Sequence, residues 1–287
     1  MRNRSRNPGL AVTSISVIIP TWNRAHTLPK AIESVLSQSS PVLEVLVGDD
    51  GSTDGTAELV EAMTRQDPRI RWLPGSRGGR PAIPRNRGIR ASHGEWLAFL
   101  DSDDSWEQDK IAVQLEAVKR LKCLAVCSNA LRVFPDAREG GTVLDWNRTL
   151  LTFSDLLAIN RVVCSSCMVH RSVLDRTGEF PAGADFKAIE DYALWLRVAA
   201  ITHFAYCPVP LVRYRDDPES SVRGRQYLTP VSQKKLILQN LADWLRACPT
   251  ALPVQRGALV KVELARSWDA TRRIWNRFRR FLTHGIS

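Results

Sequence analysis

Short apolar runs alternate with helical segments through the first third of the chain, and this alternation restricts the fold more than any other feature. The runs are ISVIIP at 15–20, VLEVLV at 42–47, RIRWL at 69–73 and EWLAFL at 95–100. Short continuous apolar runs are typical of strands that are buried on both faces. The β-α-β-α-β-α-β order therefore predicts an α/β fold, with a mostly parallel central sheet flanked by helices.

The alternation becomes less regular after residue 128. The sequence predicts a strand at 161–170, a helix at 189–202 and a second strand at 203–215. Pro208 and Pro210 place that last strand at an edge of the sheet, because proline cannot donate a ladder hydrogen bond. From residue 216 onward the pattern is mostly helical. We therefore expect a helical C-terminal appendage.

Composition is that of a globular protein. The chain has 287 residues, of which 44% are hydrophobic and 24% charged, so a large core can form. It contains no apolar run long enough for a transmembrane helix. The start, MRNRSRNPGL, is basic but is followed by no small-residue cleavage site, which indicates a tail rather than a signal peptide. We expect a cytoplasmic protein.

The six cysteines include one C-x-x-C pair, Cys164 and Cys167. On the strand predicted here, residues three apart point to opposite faces, so the pair is not expected to bind a metal. Buried, reduced thiols are the favoured interpretation.

The net charge of +10 calls for an anionic partner. The segment 266–282 is rich in arginine and places Trp268, Trp275, Phe278 and Leu282 at helical spacing. Two interpretations are open. One is an amphipathic helix at the inner face of a membrane, and the other is a terminal helix that docks on its own domain. Nucleic-acid binding is disfavoured, because the basic residues form no recognisable module.

Polar residues collect where three predicted strands end. They are PTWNR at 20–24, GDDGSTDG at 48–55 and DSDD at 101–104. Ligands of open α/β sheets bind beyond the carboxyl ends of the strands. The glycine spacing matches neither a dinucleotide-binding loop nor a P-loop. A divalent cation, Mn²⁺ or Mg²⁺, bound together with a diphosphate would offset the repulsion between these carboxylates and let them lie close together. An isolated DSDD sequence is more often a solvated turn, but the polar residues at the other two strand ends favour a ligand-binding site.

Four motifs together resemble family 2 glycosyltransferases with the GT-A fold, which is Rossmann-like. They are SVIIPTWNR at 16–24, VGDDGSTDGT at 47–56, PRNRGIRASHGEWLAFLDSDDSW at 84–106 and IEDYALWLRVA at 189–199. The resemblance covers residues 14–215 and implies a nucleotide-binding half (14–128) and an acceptor half (129–215). The basic tail (1–13) and the helical region (216–287) lie outside it.

The resemblance also implies roles for individual residues. Thr21 and Asp50 would contact the nucleotide base, and Arg85 and Asn86 would lie near the nucleotide-sugar. Asp101 would hold the ribose and the metal. Asp103 is the first choice for the metal, Mn²⁺ or Mg²⁺, and UDP is the default nucleotide. Pro84 departs from the alanine that is usual in this motif.

The acidic pair of the fourth motif supplies the expected chemistry. Asp191 would act as general base on the acceptor hydroxyl, and Glu190 would orient it or contact the acceptor. Attack opposite the departing diphosphate would invert the anomeric configuration. The other interpretation of the pair is a set of acids that complement the helix dipole. Trp106 and Trp195 are expected either in the core or along the donor and acceptor sites, respectively.

The sequence as a whole predicts an inverting, metal-assisted glycosyltransferase. Its donor would be a nucleotide-sugar, and its acceptor would be a glycan or a lipid-linked glycan. The alternatives are a non-catalytic module that binds sugar nucleotides and a basic nucleic-acid-binding protein. The acidic pair at Glu190 and Asp191 argues against the non-catalytic module, and the acids at the strand ends argue against phosphate-backbone binding.

Overall fold

The computed structural model describes residues 13–217 and 228–247. Its first part contains β1 (Ile15–Thr21), α1 (Leu28–Leu36), β2 (Glu44–Asp49), α2 (Thr56–Gln66), β3 (Ile70–Leu73), α3 (Ala82–Ala91), β4 (Trp96–Phe99), β5 (Ser105–Trp106), α4 (Lys110–Leu121) and β6 (Ala125–Val133). Its second part contains β7 (Glu139–Thr142), β8 (Leu150–Leu151), α5 (Phe153–Ala158), β9 (Met168–His170), α6 (Arg171–Thr177), α7 (Glu190–Ile201), β10 (Phe204–Arg215) and α8 (Pro230–Ala247). Short 3₁₀ turns lie at Cys164–Ser166 and Ala184–Phe186.

One sheet joins the ten strands. Its order is β3-β2-β1-β4-β9-β6-β10-β5, with β7 beside β6 and β8 beside β10. The pairs formed by β1 to β4 are parallel, which confirms the prediction from the apolar alternation. Beyond β4 the sheet is mixed, because the short β9 pairs antiparallel with both β4 and β6. The α/β class is confirmed, and the neighbouring ends of β2, β1 and β4 meet at one edge.

The central strands are buried on both faces, as their continuous apolar sequences indicate. Along β1, Ile18 packs into one hydrophobic cluster while Val17 and Ile19 pack into the cluster on the other face. This alternation follows the two-residue period of a strand. Helices therefore cover both faces, and the polar strand ends lie at the edge of the sheet.

The strand predicted at 161–170 is only partly correct. Cys164–Ser166 form a 3₁₀ turn, in which Cys167 N donates to the Cys164 carbonyl at 3.0 Å, and β9 begins only at Met168. The cysteines in the described part of the chain are buried free thiols, in agreement with the sequence interpretation. Cys248 lies outside the described residues.

The edge position predicted for β10 is wrong. β10 pairs with β6 on one side, and with β8 and β5 on the other. Its register shifts between Cys207 and Pro210 and again between Pro210 and Val212. Such irregularities are where an interior strand tolerates proline, because the ladder is already interrupted there.

The predicted C-terminal helix is confirmed for α8. Its apolar face, including Leu238, Leu241 and Leu245, joins the hydrophobic cluster that contains α7. The basic tail up to residue 12 and the arginine-rich segment 266–282 lie outside the described residues. In the described ranges, no helix has both the length and the apolar character needed to cross a bilayer.

Candidate active site

The ends of β2, β1 and β4 open into a cavity of about 330 Å³. Helices α3 and α7 and the end of β10 complete its wall. The structure brings seven of the residues selected from the sequence to this cavity: Thr21, Asp50, Arg85, Asp101, Asp103, Glu190 and Asp191. The prediction that these sequence-distant acids share one site therefore agrees with the geometry.

Asp50 is held by the loop that follows β3. Its carboxylate oxygens accept hydrogen bonds from Gly78 N and Gly79 N, both at 2.8 Å, and Arg77 donates to the same carboxylate. Glycines suit this loop, because Gly79 has a left-handed φ of 73° and a Cβ on Gly78 would lie 3.1 Å from Asp50 Oδ1. A carboxylate accepts about four hydrogen bonds, so capacity remains for a ligand donor.

Thr21 lies beside Asp50 at the end of β1. Its carbonyl accepts a hydrogen bond from Asp50 N at 2.9 Å, which fixes the two strand ends relative to each other. Thr21 Oγ1 is buried and has no hydrogen-bond partner among the described residues. Burying a hydroxyl without a partner costs free energy, so this atom is suited to bind a ligand.

Arg85 connects Asp101, after β4, to the acidic pair of α7. Its guanidinium donates to Asp101 Oδ1 at 2.6 Å and to Glu190 Oε1 at 2.8 Å. Burial alone would lower the pKa of Arg85, but Asp101 and Glu190 raise it well above its ordinary value. The guanidinium is therefore a permanent cation between two carboxylates.

The acidic pair begins α7. Glu190 is 4% exposed and Asp191 9%, and Tyr192 N donates to Asp191 Oδ1 at 2.7 Å. The positive pole of the helix stabilises negative charge at this position. Burial raises the pKa of Glu190, with a further contribution from Asp191, while Arg85 opposes the shift. Ala188, two residues earlier, has a left-handed φ of 63°. Strained backbone of this kind clusters at functional sites.

Three carboxylates follow β4 at different depths. Asp103 is partly exposed, and its pKa is raised by burial and by Asp101. Asp104 is buried, accepts hydrogen bonds from the Ser165 hydroxyl and from Arg215 N, and has a pKa raised well above its ordinary value by burial and by Asp103. Asp104 thereby fixes the end of β10 beside the site.

Asp101 and Asp103 have donor atoms that suit Mn²⁺ or Mg²⁺. Among the described residues, Asp103 makes only a long contact, 3.5 Å, to Arg24, and its side chain is partly exposed. Among residues 13–217 and 228–247, no group of three or more His, Cys, Asp or Glu side chains is arranged around a metal position. The residues fit the kind of site in which one or two carboxylates share the ion with phosphate.

Asn86 is not brought to the cavity. Its side-chain amide donates to the Phe180 carbonyl at 2.8 Å, and its oxygen accepts from Phe180 N at 3.0 Å. Both polar atoms are thus used to hold the chain before α7. The nucleotide-sugar contact implied by the resemblance remains a prediction without a direct contact here.

The two tryptophans lie in the core. Trp195 is fully buried among Phe99, Phe180 and Phe204, with ring centroids 5.6 to 6.2 Å from its own. Trp106 is 5% exposed and donates from Nε1 to the Ser165 carbonyl at 2.7 Å. The core interpretation is therefore the one that the structure supports for both.

Several cationic and aromatic residues of the cavity were missed from the sequence. Arg77 lies over the Trp22 ring at 3.7 Å, and Trp22 is 39% exposed. Arg24, Lys187 and Arg215 also line the cavity. Trp22 and Arg24 stand in the strand-end motif at 20–24, so position alone could have suggested them. No spacing signal in the sequence points to Arg77.

Comparison with known sequences identifies a family and several relatives. Residues 16–178 match the family described as Glycosyl transferase family 2. A Bacillus subtilis glycosyltransferase named for teichuronic acid biosynthesis, TuaG, is 31% identical over 195 residues, which are 67% of this chain and 74% of TuaG. Escherichia coli WfgD, named a UDP-Glc:alpha-D-GlcNAc-diphosphoundecaprenol beta-1,3-glucosyltransferase, is 32% identical over 184 residues, or 64% of this chain and 69% of WfgD.

Some relatives are much longer than the matched region. An uncharacterized glycosyltransferase of Rickettsia felis is 47% identical over 104 residues, which are 36% of this chain but only 17% of that protein. Among solved structures, S. aureus TarS 1-349 in complex with UDP-GlcNAc superimposes with a TM-score of 0.68 at 18% identity. The match covers 87% of this chain and 70% of that one. At this identity the likeness establishes the shared fold, which is GT-A.

Proposed function

The chain belongs to glycosyltransferase family 2 and is a glycosyltransferase, and on that premise we propose that it transfers a sugar from UDP to a hydroxyl group of a lipid-linked glycan, with inversion. The observation that carries the proposal is the single cavity shared by Thr21, Asp50, Asp103 and Asp191. Base-binding, metal-binding and proton-accepting groups are then within reach of one donor and one acceptor.

The proposed donor is a UDP-sugar. TarS, which shares the fold, is described in complex with UDP and with UDP-GlcNAc, and the name of WfgD specifies UDP-Glc. In this chain the free hydroxyl of Thr21 and the remaining capacity of Asp50 lie together at the β1–β2 end of the cavity. A base with N–H donors and carbonyl acceptors suits that pair. Trp22 lines the same cavity, and a base would stack on the face of its ring that Arg77 does not cover.

Asp103 and Asp101 would hold Mn²⁺ or Mg²⁺ together with the diphosphate. When bound, the ion would stabilise the negative charge on the leaving diphosphate. Arg85 keeps Asp101 oriented through a 2.6 Å hydrogen bond, and Arg24 and Arg215 supply further positive charge at the same edge. The leaving group therefore needs no protein acid.

Asp191 would take the proton of the acceptor hydroxyl as that oxygen bonds to the anomeric carbon. The bond between the anomeric carbon and the diphosphate breaks on the opposite face, which inverts the configuration. Glu190 is buried against Arg85 at 2.8 Å, so its role is to hold that arginine rather than to accept the proton. Asp191 also lines the cavity, and we assign it to the acceptor hydroxyl.

We propose an acceptor that is a glycan attached to a lipid through a diphosphate. The support comes from the names of relatives, which specify diphosphoundecaprenol acceptors for WfgD and WfaP. Cytoplasmic location at the membrane surface, and membrane contact through segment 266–282, remain part of the same proposal. The family assignment favours this enzyme over the non-catalytic module and the nucleic-acid-binding protein.

Calorimetric titration of UDP, GDP and dTDP with and without Mn²⁺ tests the donor site. We expect Mn²⁺-dependent binding of UDP, weakened at least about tenfold in Asp103→Asn, because the variant loses a carboxylate ligand. Asp54→Asn, which changes an exposed acid that precedes α2 and does not line the cavity, is the control. If the wild type and Asp103→Asn bind UDP with the same affinity, whether or not Mn²⁺ is present, the assignment of Asp103 is refuted.

A further inference from the structure

Hydrogen bonds hold only part of the Arg85 guanidinium, the group that links two acids of the cavity. Its Nη2 donates to Asp101 and its Nη1 to Glu190, whereas its Nε is buried and has no hydrogen-bond partner among the described residues. The ring of Phe180 provides a further contact, since its centroid lies 5.4 Å from Arg85 Cζ. An aromatic ring at this distance attracts a guanidinium through its negative face, and more strongly where both groups are shielded from water.

The Phe180 ring is itself fixed by the hydrophobic core. It is 2% exposed and makes edge-to-face contacts with Phe99 and Trp195, with centroid separations of 5.1 and 5.6 Å. Aromatic pairs favour this geometry, and a close-packed core leaves a ring of this size little room to move. The surface that the ring offers to Arg85 is therefore rigid.

The backbone of Phe180 is bonded to α3 through Asn86. Asn86 Nδ2 donates to the Phe180 carbonyl at 2.8 Å, and Asn86 Oδ1 accepts from Phe180 N at 3.0 Å. Asn86 is 6% exposed and follows Arg85 directly in the sequence. The residue next to the guanidinium thus places the ring against which that guanidinium lies.

The chain just before Phe180 is bonded to α7 through Arg197. This buried side chain donates to the carbonyls of Thr177 and Glu179, both at 2.7 Å. Hydrogen bonds from a charged donor are stronger than neutral ones. Arg197 is on the same helix as Glu190, about 10 Å further along its axis at 1.5 Å per residue. Both helices that supply the cavity with charged groups are therefore anchored to the segment 177–180.

We infer that Phe180 is a positioning residue whose ring sets the orientation of the Arg85 guanidinium. Asn86 and Arg197 hold Phe180 in place between α3 and α7. The inference rests on the proposed function, since it assigns Arg85 a task in sugar transfer. It gives Asn86 an indirect role in place of the nucleotide-sugar contact that the resemblance implies. Phe180 does not line the cavity, so its loss should lower kcat more than it changes the KM for the donor.

The first test weakens the ring face of Phe180 without removing the ring. Phenylalanine analogues that carry one, two or three ring fluorines replace Phe180 in the full chain, because fluorine withdraws electron density from the face that attracts a cation. We expect kcat to fall with each fluorine, by about tenfold over the series. The same series at Phe153, which is fully buried in the same hydrophobic cluster, should leave kcat unchanged. A kcat that does not depend on fluorination at Phe180 overturns the inference.

The second test separates the two roles of Asn86. Steady-state kinetics compare Asn86→Ala, Phe180→Leu and the double variant. If Asn86 acts through Phe180, the double variant should have nearly the kcat of the slower single variant, with little change in the KM for the donor. Multiplying effects on kcat, together with a raised KM for the donor in Asn86→Ala, would show direct contact with the donor and overturn the indirect role.

The third test does not depend on activity. In ¹⁵N-labelled protein, the side-chain Nε–H resonance of Arg85 is assigned as the one that Arg85→Lys removes. We expect this resonance to shift in Phe180→Leu, because the ring current of Phe180 is lost, and to stay in place in Phe153→Leu. An unshifted resonance in Phe180→Leu overturns the inference. If the wild type transfers sugar from no UDP-sugar but the resonance shifts, the proposed function fails while the placement of Arg85 by Phe180 stands.

Discussion

Arg85 donates a hydrogen bond to Glu190 at 2.8 Å although the two residues are 105 positions apart in the sequence. Because the same guanidinium also reaches Asp101 at 2.6 Å, one buried cation holds the acid that follows β4 and the acidic pair of α7 in fixed relation. The acid that follows β4 and the acidic pair that begins α7 are therefore joined by a single side chain.

Replacing Arg85 with lysine tests this connection. Lysine lacks the planar fork that reaches two carboxylates at once, so one of the acids loses its partner. We expect kcat to fall at least about 100-fold, as for other small displacements of reacting groups. The variant should also be less stable, because a buried carboxylate is left unpaired.

Arg90→Lys is the matched control, since Arg90 lies on the same helix but is exposed and pairs with Glu179. Steady-state kinetics and thermal unfolding of both variants make the comparison. A kcat of Arg85→Lys within threefold of the wild type, in a folded protein, would show that the bridge is not needed.

One tryptophan lies in the core and another lines the cavity, so their substitutions should have different effects. Trp195 is fully buried, so Trp195→Ala should lower the free energy of unfolding by about 3–5 kcal/mol. Trp22 is 39% exposed and lines the cavity, so Trp22→Ala should leave that free energy nearly unchanged and weaken nucleotide binding. Urea denaturation and UDP calorimetry give both quantities. A Trp195→Phe enzyme with altered acceptor KM and unaltered stability would contradict the core assignment.

The sequence predicts those parts of the fold in which a local pattern is enough to determine the secondary structure. The strands β1 to β4 are continuous apolar runs between helical segments, and their polar ends collect at one edge because parallel strands share a direction. This argument predicts the strand-end motifs that contain Thr21, Asp50, Asp101 and Asp103. The GT-A resemblance assigns roles to these residues and adds Arg85, Glu190 and Asp191.

The parts that the sequence does not predict depend on distant partners. Asn86 bonds to Phe180, 94 residues away, and nothing in its local motif indicates this. The turn at Cys164–Ser166 places Ser165 next to Asp101 and Asp104, where its hydroxyl satisfies buried groups that a strand would not. In β10, register shifts accommodate the prolines in the sheet interior. Tertiary contacts decided each of these cases.

Lys110 makes stability depend on pH. It is fully buried, its ammonium group lies 3.7 Å from the centroid of the Trp106 ring, and burial lowers its pKa from 10.5 to about 7. Between these two values the unfolded chain holds a proton that the folded chain lacks. The contribution of Lys110 to the free energy of unfolding therefore rises with pH over this window, by up to about 1.4 kcal/mol per pH unit.

Lys110→Met should remove this dependence. We expect the variant to exceed the wild type in stability most clearly at pH 7 and below, and the difference to shrink toward pH 10. Lys119→Met, on the exposed face of the same helix, should show no such trend. Urea denaturation from pH 6.5 to 9.5 measures it, and a difference that is constant with pH would contradict a buried, neutral lysine.

The assignment of Asp191 as general base is tested most directly by single-turnover transfer from UDP-GlcNAc or UDP-Glc, with Asp191→Asn compared to Glu190→Gln. We expect Asp191→Asn to lower the transfer rate by about 10²–10⁴ while UDP binding is retained, since only proton removal is lost. Glu190→Gln should lower the transfer rate less than Asp191→Asn does, and it should weaken the interaction that positions Arg85. Transfer by Asp191→Asn at the wild-type rate would show that another group accepts the proton.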